Sequence, residues 1–176
     1  MEILIVGVII VALMAYVSTK IKKSAAEAFE REEIETDDFT IIKPEGFINP
    51  INDNSPLVFE AYTKNLGENK TRNFRQAWAT LRAISDSDFQ TICKNAKNSS
   101  GKITSKKFIE DAPEDQKIFL LETEKTEKDV EIYCLRKIVE SRVRRKVYEL
   151  QVSVLEDYRE DFAEKANEMV ESFVVK

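Results

Sequence analysis

Among the 176 residues there is no histidine, which removes the commonest general base, the Ser-His and Cys-His nucleophile pairs, and most zinc and haem ligand sets. The glycines stand apart at Gly7, Gly46, Gly67 and Gly101, so neither a phosphate-binding P-loop nor a dinucleotide fingerprint can be written. Carboxylates remain. They fall in close pairs, Asp37/Asp38, Asp86/Asp88, Glu110/Asp111, Glu114/Asp115, Glu156/Asp157 and Glu160/Asp161, each with the composition of a general acid/base dyad or a divalent-cation ligand pair. Most of these stand where a helix or turn is expected to begin, and there carboxylates cap and solvate. No catalytic residue, metal site or cofactor is assigned on this basis. Cys93 and Cys134 make no C-x-x-C motif and are expected to be small buried apolar side chains.

Positive charge concentrates in one place, at Arg136, Lys137, Arg142, Arg144, Arg145 and Lys146. Such a cluster has the chemistry to meet anionic headgroups, an acidic partner or RNA. The formal net charge of −5 and the lack of interleaved aromatics weigh against nucleic acid. The competing reading is a charged hairpin tip that protects a sheet edge.

The N-terminal stretch must position everything downstream. Ile3 to Val17 carries no charge, and Ser18, Thr19 and the basic Lys20, Lys22 and Lys23 close it. As a helix, the uncharged run to Thr19 rises about 25 Å against a hydrocarbon core of about 30 Å, the short end of spanning length. A cleavable signal peptide would need positive charge before the apolar run, where only Met1 and Glu2 stand. The expectation is a single-pass anchor over 1–19 and a helical stalk over 20–36, followed by one globular domain over 37–176. The basic flank argues for an inner or plasma membrane with the domain in the cytoplasm, and an extracytoplasmic domain is the alternative.

Within the domain, Phe39–Lys43 reads as a strand stopped by Pro44, and 44–56 as a loop. Leu57–Lys64 reads as a second strand. Residues 72–84 match helical and strand periods at once, and strand is chosen because Gly67 suggests a hairpin. Ser85 is the expected N-cap of a helix reaching Lys97. Four further strands are expected, over 102–110, 117–125, 130–140 and 145–156, the last pair joined by a hairpin at 141–144. The chain closes on an amphipathic helix whose stripe is Tyr158, Phe162, Ala166, Met169, Val170 and Phe173, with Asp157 as N-cap.

Two stretches carry a resemblance. The first is Phe39-Thr40-Ile41-Ile42-Lys43-Pro44-Glu45-Gly46-Phe47, a strand running into a proline-glycine-aromatic turn. The second runs from Val147-Tyr148-Glu149-Leu150 through Leu155-Glu156-Asp157-Tyr158 to Val170-Glu171-Ser172-Phe173. Residues 38 to 175 thereby resemble the PsbP-like fold, which implies an α+β domain with one antiparallel sheet and flanking helices. Known members are mostly binding or assembly factors and share no catalytic residue. The resemblance therefore implies a non-enzymatic, membrane-anchored accessory protein that binds another protein. A carboxylate-based or metal-dependent hydrolase and an anionic-lipid-surface module are the alternatives.

Overall fold

A computed structural model describes residues 13–14, 16–20, 23, 26–50, 55–85 and 87–176. Met1 to Ala12 and Ala15 of the expected span lie outside the described residues, and among the described residues no helix is long and apolar enough to cross a membrane. Strand alternation governs the rest. The elements are β1 (Glu32–Glu35), β2 (Phe39–Lys43), β3 (Phe47–Ile48), β4 (Phe59–Thr63), β5 (Ala77–Ser85), α1 (Phe89–Asn98), β6 (Lys102–Ile109), β7 (Gln116–Glu127), β8 (Val130–Ser141), β9 (Lys146–Leu155), α2 (Arg159–Ser172) and β10 (Val174–Val175).

The strands form two antiparallel sheets where one was expected. The larger runs β3-β4-β5-β9-β8-β7-β6 and the smaller β1-β2-β10. Pro44 ends β2, and Gly46, at a φ of +90°, turns the chain into β3, so β2 leaves the large sheet and pairs with β1 and β10 instead. A left-handed φ of this kind suits glycine because no Cβ is present to clash.

The stalk helix is corrected at its end. Among the described residues helix is found at Lys20, Lys23, Ala26 and Glu27, but a turn covers 28–30 and Glu32–Glu35 is strand, with Ile34 set opposite Ile41. Glu30 to Glu33 favour helix by composition, but pairing with β2 overrides so weak a preference. Both expected N-caps move. Ser85 ends β5 opposite Lys146, and Asp88 caps α1 by accepting from the Thr91 N–H at 2.9 Å. A 3-10 turn over Glu156–Tyr158 precedes α2, whose N-cap position is Tyr158 without a side-chain bond.

β9 is buried on both faces, and this makes three layers. Tyr148, Leu150, Val152 and Val154 meet Ala166, Met169, Val170 and Phe173 from α2 and the residue after it. On the opposite face Val147, Phe119, Leu121 and Ile138 meet Phe89, Ile92, Cys93 and Ala96 of α1. The strand reading of 72–84 holds from Ala77 onward. Ala77, Ala79 and Leu81 face the main core, while Phe74 and Trp78 pack with Tyr158 on the other side. Burying one such large apolar side chain contributes about 2 kcal/mol before ordering costs.

Cys93 and Cys134 are free, buried thiols. Burial pushes the Cys93 thiol up to about 11 and also raises Cys134. Neither is a ready nucleophile, because the thiolate is the reactive form. At neutral pH, disulfide-reagent labelling should therefore proceed only as fast as the protein opens, with unfolded chain reacting at least about a hundredfold faster. Rapid labelling of either thiol in folded protein would contradict this burial.

Candidate functional site

The basic cluster separates into three groups once its residues are placed on β8, β9 and their hairpin. Arg136 and Lys137 are neighbours in β8, so their side chains leave opposite faces of the sheet. Arg136 is buried on the α1 side. Its Nε donates to Gln151 Oε1 at 2.9 Å, and its Nη1 donates to Ala96 O at 2.9 Å and Ser99 Oγ at 3.2 Å. Lys137 points the other way, and its ammonium donates to Val170 O at 3.0 Å and Phe173 O at 2.7 Å at the end of α2. Burial lowers the Lys137 pKa. Each cation meets a helix C-terminus, where orphan carbonyls and the negative end of the helix dipole favour positive charge.

Arg144 and Lys146 form a second group around Asp38. Arg144 Nη1 lies 3.2 Å and Lys146 Nζ 3.0 Å from the carboxylate, and Tyr148 donates its hydroxyl to Asp38 Oδ2 at 2.8 Å. Arg144 also donates to the Asp37 carbonyl. Hydrogen bonds from Lys146 and then Tyr148 hold the Asp38 carboxyl below its ordinary range, while burial and then Asp38 itself push the Tyr148 phenol up. A depressed carboxyl stabilises the fold above its unfolded pKa of about 3.9, and that stability is lost as pH falls through the folded value. Asp38→Asn should cost about 1 kcal/mol at pH 7 in urea unfolding. The difference from wild type should close as pH drops below about 4; a gap that persists in acid would show that the charge is not its source.

Arg142 and Arg145 complete the hairpin. No carboxylate pairs with either among the described residues, and Val143 between them is strongly exposed. The turn also places Arg145 at a φ of +53°.

Three of the acidic pairs send one member each, Asp88, Glu110 and Glu114, to the lining of one cleft beside α1, and the others are dispersed. Asp38 is held by the cations above, Asp88 caps α1, Glu156 pairs with Arg159 at 3.2 Å, and Glu160 and Asp161 occupy the first turn of α2. Glu122 and Glu124 also meet Arg159, whose guanidinium lies 3.9 Å from the centre of the Tyr133 ring. Among the described residues no group of three acids or thiols could hold a metal ion.

Periodicity did not mark a cleft of about 940 Å³ between α1 and the β6–β7 turn. Its wall is aromatic. Phe108 is 54% exposed, lies 4.6 Å from the Phe119 ring centre and meets Phe89 edge-on at 6.4 Å. Lys97 sits over both Phe108 and Phe119, and Lys117 over Phe89. The signal in the sequence was Phe108 itself, an aromatic residue beside Lys106 and Lys107.

The cleft and the hairpin share one end of the large sheet, because Gln116 pairs with Ser141 and Ser85 with Lys146. The N-terminal segment joins the opposite end. Lys43 Nζ donates to Ala28 O at 2.9 Å, Glu30 O at 2.6 Å and Phe47 O at 3.2 Å, and the Gly46 N–H donates to Phe29 O at 2.7 Å. Phe47 is set opposite Thr63, which bonds Ala77, itself opposite Val154 at the far end of β9. Lys146 to Val154 covers about 26 Å at the ordinary rise of a strand.

An antiparallel sheet with one helix on each face and a short accessory sheet defines an α+β fold of PsbP-like type. The solution structure of cyanobacterial PsbP (CyanoP) from Synechocystis sp. PCC 6803 matches with a TM-score of 0.53 and 14% identity, over 84% of this chain and 92% of that one. LpqN of Mycobacterium tuberculosis, described as involved in cell envelope biogenesis, matches with a TM-score of 0.53 and 12% identity over 84% and 91%. The Saccharomyces cerevisiae Ran-binding protein Mog1p gives 0.53 and 12% over 84% and 96%. At these identities the likeness is one of fold. No family model and no curated protein sequence matches the chain.

Proposed function

We propose that this chain is a membrane-anchored, non-enzymatic accessory protein whose PsbP-like domain binds another protein. The observation that carries this reading is the polarity of the domain. Its N-terminal segment is fastened at one end of the sheet by Lys43 and Gly46, while the aromatic cleft, Arg142 and Arg145 stand at the other. The uncharged Ile3–Val17 run supports a single N-terminal span, and the flanking lysines favour a cytoplasmic domain at an inner or plasma membrane. The Ran-binding activity named for Mog1p lends weight to a protein partner on this fold. The sheet length between the fastening and the arginines favours a partner over the headgroups of the same bilayer, since charge attraction to a surface fades within about 10 Å.

Two experiments test it. Cross-linking in membranes followed by detergent capture should return a stoichiometric protein partner, and repeated recovery of the chain alone overturns the accessory role. Paired C-terminal reporter fusions, one active only in the cytoplasm and one only outside, should show the cytoplasmic signal. Activity of the external reporter at Lys176 reverses the orientation.

A further inference from the structure

From the free edge of β6 and the aromatic cleft beside it, we infer that this domain takes up an extended acidic segment of its partner as an added strand. The inference rests on the binding reading above and names its surface and chemistry. β6 is the last strand of the seven-stranded sheet, so the backbone groups on its outer side have no strand partner among the described residues. Such an edge is a template for another strand. A register shift between Ile103 and Ser105 interrupts its first half, leaving Ser105–Ile109 as the usable length.

The side chains along this edge specify what fits. Lys106 and Phe108 stand opposite Leu121 and Phe119, which belong to the cluster under α1, so both project on the cleft side of the sheet. An added strand would therefore bring alternate side chains against the exposed Phe108 ring and over Lys97. Lys94, Lys97, Lys106 and Lys107 have no carboxylate partner among the described residues, whereas Lys117 is paired with Glu140 at 2.8 Å. Asp88, Glu110 and Glu114 lie toward the Pro113 end of the cleft. The favoured occupant thus carries acidic residues facing α1 and the middle of β6, an aromatic or aliphatic residue against Phe108, and no negative charge near Pro113.

A second copy of this chain fits poorly. Antiparallel pairing of Ser105–Ile109 with its own copy would set Lys107 directly against its counterpart, and like charges across a strand pair are destabilising.

The test titrates the full chain in detergent with two blocked peptides of roughly eight residues, one alternating glutamate with phenylalanine and valine, the other with lysine replacing glutamate. The acidic peptide should bind, shift and protect the amides of Ser105–Ile109, and weaken as salt rises. Phe108→Ala and Lys97→Glu should each weaken it roughly tenfold, the scale of losing one central anchor. Circular dichroism of the two variants separates lost binding from lost fold. Equal binding of the lysine peptide, absence of acidic-peptide binding, shifts confined to another surface, or a dimer abolished by Phe108→Ala would each overturn the inference. If a cross-linked membrane partner binds the Lys97→Glu, Phe108→Ala double variant undiminished, this surface is wrong while the accessory role stands.

Discussion

Replacing Lys43 with methionine should lower the unfolding free energy by about 4 kcal/mol, and it should free residues 26–31 from the sheet. Lys43 is 1% exposed, and its ammonium is held by the carbonyls of Ala28, Glu30 and Phe47, with Glu32 at 3.6 Å as its carboxylate partner. Methionine matches the apolar stem as far as Cε, so packing is largely kept. What is lost is the donor, and carbonyls without one carry the desolvation cost of a buried polar group, about 1–3 kcal/mol for each left unmet. Denaturant unfolding measures the total. Hydrogen exchange at the Gly46 amide, bonded to Phe29 O, measures the local part, and its protection should drop even where the global core stays closed. A variant within about 1 kcal/mol of wild type, with Gly46 still protected, would show that the lysine is not what fastens the N-terminal segment.

That fastening is also where the sequence was least legible. Lys43 reads as the polar end of a short strand, because its three carbonyl partners lie at separations of 4 to 15 residues, in a turn and in a segment of helical composition. Local propensity cannot report a bond of that kind, and the same blindness hid β1, whose partner β2 determines its conformation. Strong alternation behaved differently. β9 and the α2 stripe were plain because each has a single period and one dominant apolar face. β5 was resolved only through its hairpin with β4, where Ala61 stands opposite Ala79. The basic cluster was visible by composition, but its division was not obvious. Strand alternation was the available clue, since adjacent residues in β8 cannot share a face. The cleft arises from the packing of α1 across the β6–β7 turn, a long-range event that leaves only the exposed Phe108 as its trace.

Substituting methionine at Arg136 should loosen α1 alone, whereas the same change at Lys137 should lower the stability of the whole domain by about 3 kcal/mol. Both cations cap a helix, but the helices differ in what they cover. α2 closes the main core through Ala166, Met169 and Val170, and Phe173 at its end is fully buried with its carbonyl bonded to Lys137. The Phe173 ring also lies 5.8 Å from the ammonium. Losing that donor strands two carbonyls at the point where the chain passes from α2 into β10, so helix, small sheet and core should fail together. α1 rests on a smaller cluster, and Arg136 reaches it through the Ala96 carbonyl and Ser99. Without the guanidinium, α1 has a route to open while β5, β9 and β8 stay paired. Hydrogen exchange separates the two cases: Arg136→Met should speed exchange over Ile92–Asn98 with protection of β9 retained, and Lys137→Met should speed both by the same global amount. Equal behaviour of the two variants would mean that adjacent positions on β8 do not act on separate faces of the sheet.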